Sequence, residues 1–278
     1  MLMDGHTHTE FCPHGSREPV EKMIQRAIGL GMEKYCITEH APLPPDFTES
    51  YEGSEDGVSE ASIRLDEVEP YLKQMKSLQS KYSDQIQISI GFEVDYLEGF
   101  EDFTRRFLEE YGPQTQESIL SVHFMKGTDN KFWCVDNGVD DFTNGFKQWL
   151  NDPQALFEQY YQTVAKSVDA DLSKYRPQRI GHMSLIRKYQ DHFKITEDLD
   201  QQNLDLVMKI LTTVKQQQRE LDLNLAGLYK PLCNDFYPGK QVLSMAQQLG
   251  IPAVYGSDAH DIESVGHGLH LLKSLKFY

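Results

Sequence analysis

With 278 residues, 39% hydrophobic and 25% charged, the chain is expected to fold as one large α/β domain or two small ones. Its 43 acidic and 27 basic residues leave a formal net charge of −16. That balance argues against nucleic acid as a partner, because phosphate backbones are gripped by clustered Lys and Arg. No apolar run approaches the roughly 20 residues that span a bilayer, so no membrane partner is expected. Nothing ahead of the first motif reads as a signal peptide. Four cysteines (Cys12, Cys36, Cys134 and Cys233) form no CxxC pair and read as small buried hydrophobes of a reduced, cytoplasmic protein.

In chain order, short β-like runs alternate with longer helical patterns. Strands are predicted at Leu2–Asp4, Lys34–Thr38, Ile86–Phe92, Ser118–His123, Arg179–His182, Asn224–Gly227 and Ala253–Ser257. The first helix starts near Pro19, carries an apolar stripe of Val20, Met23, Ile24, Ala27 and Ile28, and stops at Gly31. Further helices are predicted at Leu65–Ser80, Phe100–Tyr111, Pro153–Val168, Leu199–Leu221 and Lys240–Leu249. Seven β-then-α units imply parallel strands with helices outside, and a barrel more than an open sheet. Two segments read as insertions. Asp46–Glu60 holds six acidic residues and no basic one. Met125–Asp152, rich in Asp, Asn and Gly, reads as either a solvated loop or a lid.

The chemistry begins at Asp4-Gly5-His6-Thr7-His8. Side chains two apart on an extended segment point the same way, so His6 and His8 can grip one ion, and Asp4 shares their parity. Glu39-His40 closes the second predicted strand. Glu93 follows the third, His123 ends the fourth, and His182 ends the fifth. Asp258 and His260 follow the last, and His14 lies in the loop after the first. In a barrel these strand ends converge on one mouth. Because Glu39 and His40 face opposite ways on a strand, His40 is the expected ligand and Glu39 a supporting group. His192, His267 and His270 lack this placement and read as ordinary histidines. Seven histidines with two carboxylates suit Zn²⁺, Mn²⁺ or Fe²⁺. Nine ligands exceed the four that a zinc ion usually takes, so two or three divalent ions are expected, with a carboxylate bridging.

These motifs resemble those of the polymerase and histidinol phosphatase (PHP) family: Asp4-Gly5-His6-Thr7-His8 its first, Thr38-Glu39-His40 its second, and Gly256-Ser257-Asp258-Ala259-His260 its last. The resemblance runs from residue 4 to residue 260 and implies a distorted (β/α)7 barrel, one PHP-type domain over residues 1–278, with a metal site at the C-terminal ends of the strands. It further implies that His6, His8, Glu93 and Asp258 hold one metal. His14, His40 and His260 would hold a second, and Glu93, His123 and His182 a third. Gly91-Phe92-Glu93-Val94-Asp95, Ser121-Val122-His123-Phe124 and Gly181-His182-Met183 resemble the stand-alone L-histidinol-phosphate phosphatases of that family. The resemblance thus implies a phosphomonoesterase acting on a small-molecule phosphate in histidine biosynthesis.

For such a reaction Glu93, Asp258 and His260 are the catalytic candidates, with Asp258 or His260 carrying a proton to the leaving alkoxide. Arg187, five residues after His182, and Arg17, three after His14, are the candidates for binding phosphate, because a planar donor fork suits it. An acidic rim would suit the amine and imidazole of histidinol phosphate. Three other readings stay open: a different phosphoesterase on the same site, a carbon–nitrogen hydrolase, or a binding module with a degenerate site. The second would normally use a strand-end Lys, which the sequence lacks, and the complete ligand set argues against the third. An accessory polymerase domain lacks its basic surface. The motifs alone leave the oligomeric state open.

Overall fold

In the computed structural model, which describes residues 1–127 and 130–272, the strands are β1 (Met3–Asp4), β2 (Lys34–His40), β3 (Gln87–Asp95), β4 (Ile119–Ser121), β5 (Phe124–Lys126), β6 (Phe132–Cys134), β7 (Arg179–Ile180), β8 (Glu220–Asn224) and β9 (Ala253–Gly256). The helices are α1 (Val20–Gly29), α2 (Asp56–Ser59), α3 (Val68–Lys81), α4 (Glu101–Tyr111), α5 (Val139–Phe146), α6 (Pro153–Asp169), α7 (Gln190–Phe193), α8 (Gln201–Gln216) and α9 (Lys240–Leu249). Seven strands form one parallel sheet in the order β1-β2-β3-β4-β7-β8-β9. The two edges meet. Gly5 N donates to Tyr255 O at 2.7 Å, and Thr7 bridges Ala259 in parallel, so the sheet is a nearly closed barrel.

The elements form where side chains can be buried. Tyr35, Cys36 and Ile37 of β2 are successive and all buried, as parallel strands covered on both faces require. Helix α1 buries Val20, Met23, Ile24 and Ala27 on one stripe. It ends where Gly31 takes φ +78°, a left-handed conformation that costs glycine little. At Gly91 of β3, a Cβ would stand 1.5 Å from the carbonyl oxygen of Glu117, so no side chain fits between these segments.

One predicted strand was misplaced. The sixth runs Glu220–Asn224, not Asn224–Gly227, and residues Ala226–Tyr229 form a 3-10 turn instead. The helix before it ends at Gln216 and not at Leu221. Gln218 takes φ +56°, which breaks the helix, and Leu221, Asp222, Leu223 and Asn224 then alternate with the period of a strand. Met125–Asp152, which includes two residues outside those described, is no plain loop. It carries the ends of the antiparallel β5–β6 hairpin and helix α5.

The acidic insertion docks on that hairpin. Phe47 is wholly buried against Phe124, Phe132 and Phe100, and Glu52 N donates to Phe132 O at 3.0 Å. Asp141 of α5 accepts from Ser54 N (3.1 Å), Ser54 Oγ (2.8 Å) and Asn137 Nδ2 (3.2 Å). Among the described residues, no helix is long and apolar enough to cross a membrane, and all four cysteines are free and buried.

Candidate metal centre

The barrel mouth gathers its side chains from successive strand ends around Glu93, which is 1% exposed. Its two oxygens face different histidines. Oε1 lies 2.9 Å from His182 Nε2 and 3.6 Å from His123 Nε2, and accepts the Ser121 hydroxyl at 2.6 Å. Oε2 lies 3.1 Å from His6 Nε2, 3.5 Å from His8 Nε2 and 3.3 Å from His40 Nδ1. Asp258 closes the ring from the other edge of the sheet, its Oδ1 3.1 Å from His8 Nε2. Asp258 takes φ +55°, an uncommon conformation for a non-glycine residue, and its N–H donates to His6 O at 2.8 Å. His14 and His260 complete the rim, Nε2 to Nε2 at 3.1 Å. The structure therefore brings together His6, His8, His14, His40, Glu93, His123, His182, Asp258 and His260.

Five of these imidazoles are held from behind. His6 Nδ1 meets Asp222 Oδ2 at 2.8 Å, His8 Nδ1 meets Glu39 Oε1 at 3.3 Å, and His123 Nδ1 meets Asp95 Oδ1 at 2.8 Å. His14 Nδ1 lies 2.7 Å from Glu60 O and His260 Nδ1 2.9 Å from Asp258 O. A carboxylate or carbonyl can only accept, so in each case Nδ1 carries a proton and Nε2 is the nitrogen that faces the centre, where a cation would displace any proton it holds. Glu39 also accepts from Thr9 N and His40 N, both at 2.9 Å, which makes it a support and not part of the inner ring. Asp4 is turned to the backbone, accepting from Ser257 N at 2.9 Å; burial pushes its carboxyl up to about 6.

Asp222 and Asp95 had no role in the sequence reading. The first fell in the gap between an over-extended helix and a strand placed too late, and the second differs from other strand-end acids only by its parity with Glu93. Gly256 makes room for the first pair, since a Cβ there would lie 2.6 Å from both Asp222 Oδ1 and His6 Cβ.

Electrostatics divide the histidines into two sets. Burial alone would lower His8 and His123, but their carboxylate neighbours outweigh it and push them up to about 9 and about 10. His6 likewise moves well above its ordinary value, against burial, through Glu93, Asp258 and Asp222. His40 and His260 move well below theirs, through burial and the nearby His8. Burial raises Glu93 and Asp258, yet the surrounding imidazoles hold both well below the carboxylate range.

The donors fit divalent cations. His6, His8 and Glu93 offer ligand atoms within 4.8 Å of one another, as do Glu93, His123 and His182. Both ring nitrogens of His40, and Nδ1 of His182, are buried without a hydrogen-bond partner. Buried polar atoms are rarely left so unless a bound group satisfies them.

A cavity of about 460 Å³ opens over these residues. His14, His40, His123, His182, Asp258 and His260 line its floor, and Asp56, Glu60 and Asp136 its acidic walls. The positive side chains lining it are Lys188 and Lys230. Neither arginine singled out in the sequence is among the lining residues. Arg187 turns away to the carbonyls of Ile195 (3.2 Å) and Glu197 (2.9 Å), with its guanidinium 4.1 Å from the centre of the Phe157 ring. Arg17 takes φ +63° and donates to the carbonyls of Glu10 (3.3 Å) and Pro13 (3.2 Å). Counting residues from a ligand gave their distance along the chain but not their direction. His192, His267 and His270 are also absent from the lining.

Comparison with known proteins agrees with this geometry. The histidinol-phosphatase of Bacillus subtilis is 38% identical over 267 residues, covering 95% of each chain. The crystal structure of hisK from Listeria monocytogenes superposes with a TM-score of 0.92 at 42% identity, covering 96% of this chain and 98% of that one. The histidinol phosphate phosphatase of Lactococcus lactis, solved with zinc, L-histidinol and phosphate, shares the fold at a TM-score of 0.71 and 21% identity, covering 100% of this chain and 94% of that one. A PHP-associated model matches residues 240–272. The PHP domain model matches residues 4–226, which carry seven of the nine inner donors, and the chain belongs to the PHP domain family.

Proposed function

We propose that the protein is a metal-dependent phosphomonoesterase that hydrolyses L-histidinol phosphate to L-histidinol and phosphate. The observation that carries this reading is Glu93, whose two oxygens each face a separate group of histidines at the floor of an open cavity. The Bacillus subtilis relative, similar along nearly the whole chain, supplies the substrate.

His6, His8, Glu93 and Asp258 would hold one ion, Glu93, His123 and His182 another, and His14, His40 and His260 a third, so that two or three divalent ions share the centre. Zinc, manganese and iron all suit such donors. When bound, such ions supply a water acidified toward neutral pH and positive charge against the phosphoryl oxygens.

The chain's own residues do the rest. Asp222, Glu39 and Asp95 keep the Nε2 lone pairs of His6, His8 and His123 aimed inward. Lys188, at the cavity wall, meets the phosphate. Asp258, ionised at rest with its side chain 21% exposed to the cavity, or His260 beside it would take up a proton from the attacking water and pass it to the leaving alkoxide. Asp56 and Glu60 face the cationic amine and imidazole.

We read the whole chain as one barrel domain of a cytoplasmic biosynthetic enzyme. The test is phosphate release from L-histidinol phosphate beside a panel of phosphomonoesters and a diester. Preference for histidinol phosphate is expected, and faster hydrolysis of the diester would overturn the substrate assignment.

A further inference from the structure

Cys12 lies against the donor ring and has no task in the phosphatase mechanism. Its side chain is wholly buried. Its sulfur belongs to a cluster with His8, His40 and His260, whose ligand atoms all lie within 4.8 Å of one another. A tight turn holds it there: Cys12 N donates to Thr9 O at 3.1 Å, and Gly15 N donates to Cys12 O at 3.2 Å. Burial pushes the thiol up, so a neighbouring cation is needed to ionise it.

A second observation in the same cluster points to a missing ligand. His40 is 6% exposed; its Nδ1 lies 3.3 Å from Glu93 Oε2, and its Nε2 is buried without a hydrogen-bond partner. That buried nitrogen marks the place of an ion, and the Cys12 sulfur lies within 4.8 Å of the ligand atom of His40.

We propose that the Cys12 thiolate is a direct ligand of the ion held by His40 and His260, giving this one position of the centre a soft sulfur donor. This rests on the metal-centre reading above and goes beyond its all-histidine-and-carboxylate ligand set. His8 also faces Glu93 and Asp258, so it serves the neighbouring ion. His14, with Nε2 3.1 Å from Nε2 of His260, supplies the remaining donor from the rim. Cysteine and three histidines make a tetrahedral set of the kind that zinc and cobalt accept. Binding forms the metal–sulfur bond and breaks the S–H bond, releasing one proton to solvent. Thiolates favour thiophilic ions over manganese or magnesium. This position should therefore retain zinc or cobalt when the others exchange to manganese.

The experiment is cobalt(II) titration of the chelator-stripped full chain, followed by absorbance. A near-ultraviolet thiolate-to-cobalt charge-transfer band is expected, lost in Cys12→Ser and kept in Cys134→Ser. Cys134 is the control because it also lines the cavity. Cadmium-113 NMR of the unmutated protein gives a second readout that needs no variant to fold, with one resonance expected at a sulfur-shifted position.

Cobalt uptake with only the visible bands of nitrogen and oxygen ligands, or a charge-transfer band that survives Cys12→Ser, would overturn the assignment of Cys12 and leave the metal centre standing. A cadmium spectrum without a sulfur-shifted resonance would do the same. Absence of metal uptake altogether would overturn both.

Discussion

Asp222 and His6 lie 216 positions apart in the sequence, yet their side chains meet at 2.8 Å in the barrel interior, both shut off from solvent. The pair fixes which nitrogen of His6 faces Glu93. Asp222→Ala should therefore lower metal affinity or activity by about 10–100-fold, although Asp222 would touch no ion. Competition with a chromogenic chelator measures the affinity. Unchanged affinity would mean that the barrel wall, and not Asp222, orients the ring.

Glu93→Gln should cost more than any single-histidine change. The amide keeps the shape but loses the charge that two histidine groups share, so both ions it joins should weaken. Turnover of Glu93→Gln should fall about tenfold or more below that of His123→Ala, with at least one further ion lost. Elemental analysis beside kcat decides the matter, and a Glu93→Gln protein with full metal content and near-normal turnover would remove Glu93 as a bridge. In the unmutated protein the same analysis should give two or three ions per chain, and full activity with one ion or fewer would refute a multinuclear centre.

Lys188→Met should lower kcat/KM for histidinol phosphate by about 10–100-fold, the effect of losing a charge-assisted hydrogen bond of roughly 1.5–3 kcal/mol. Arg187→Ala should leave KM within about twofold, because its donors are committed to the carbonyls of Ile195 and Glu197. Lys188 also pairs with Asp136 at 3.0 Å, and this sets a pH window for stability. Burial pushes Asp136 up and Lys188 down, but each outweighs that effect on the other. Asp136 is held below the carboxylate range and Lys188 above the ordinary lysine range. Asp136's contribution is thus present above about pH 3.9 and lost as pH falls further, and that of Lys188 is full below about pH 10.4 and lost above it. The stability difference between the protein and Lys188→Met should stay level from about pH 5 to 9 and shrink toward pH 3. A difference that grew on acidification would dissolve the pair.

Neutralising the acidic rim should separate substrates. Asp56→Asn with Glu60→Gln should raise KM for histidinol phosphate by about 3–10-fold and leave an aryl phosphate that lacks a cationic group near its original value, since exposed charges act weakly and attract only the substrate that carries a cation. The contrast should fade at high salt. An equal rise for both substrates would take these residues out of recognition.

The inner ring was legible in the sequence because each of its members sits at a strand end, and strand ends are marked by a change of pattern. His6 and His8, His40, His123, His182 and His260 could be placed on one mouth from that pattern alone. The groups behind them were not legible to the same degree. Asp222 comes directly after a run that continues an amphipathic helix smoothly to Leu221, and only the left-handed turn at Gln218 breaks that run. Lys188 and Arg187 are adjacent and chemically alike in sequence, and local backbone direction alone sends one to the cavity wall and the other to a nest of carbonyls. The aromatic docking of Phe47 on Phe132 was equally hidden, since it joins two segments that each read as polar insertions.

The seam between β1 and β9 also sets a timetable. His8 and Asp258, in contact at 3.1 Å, are separated by 250 positions, so a ribosome has made almost the whole chain before the first donors meet the last. At roughly 5–20 residues per second, His6 and His8 wait on the order of ten to fifty seconds for their partner. A nascent chain stalled anywhere before β9 would carry an open barrel with bare imidazoles, able to scavenge metal but not to hold it in the finished arrangement.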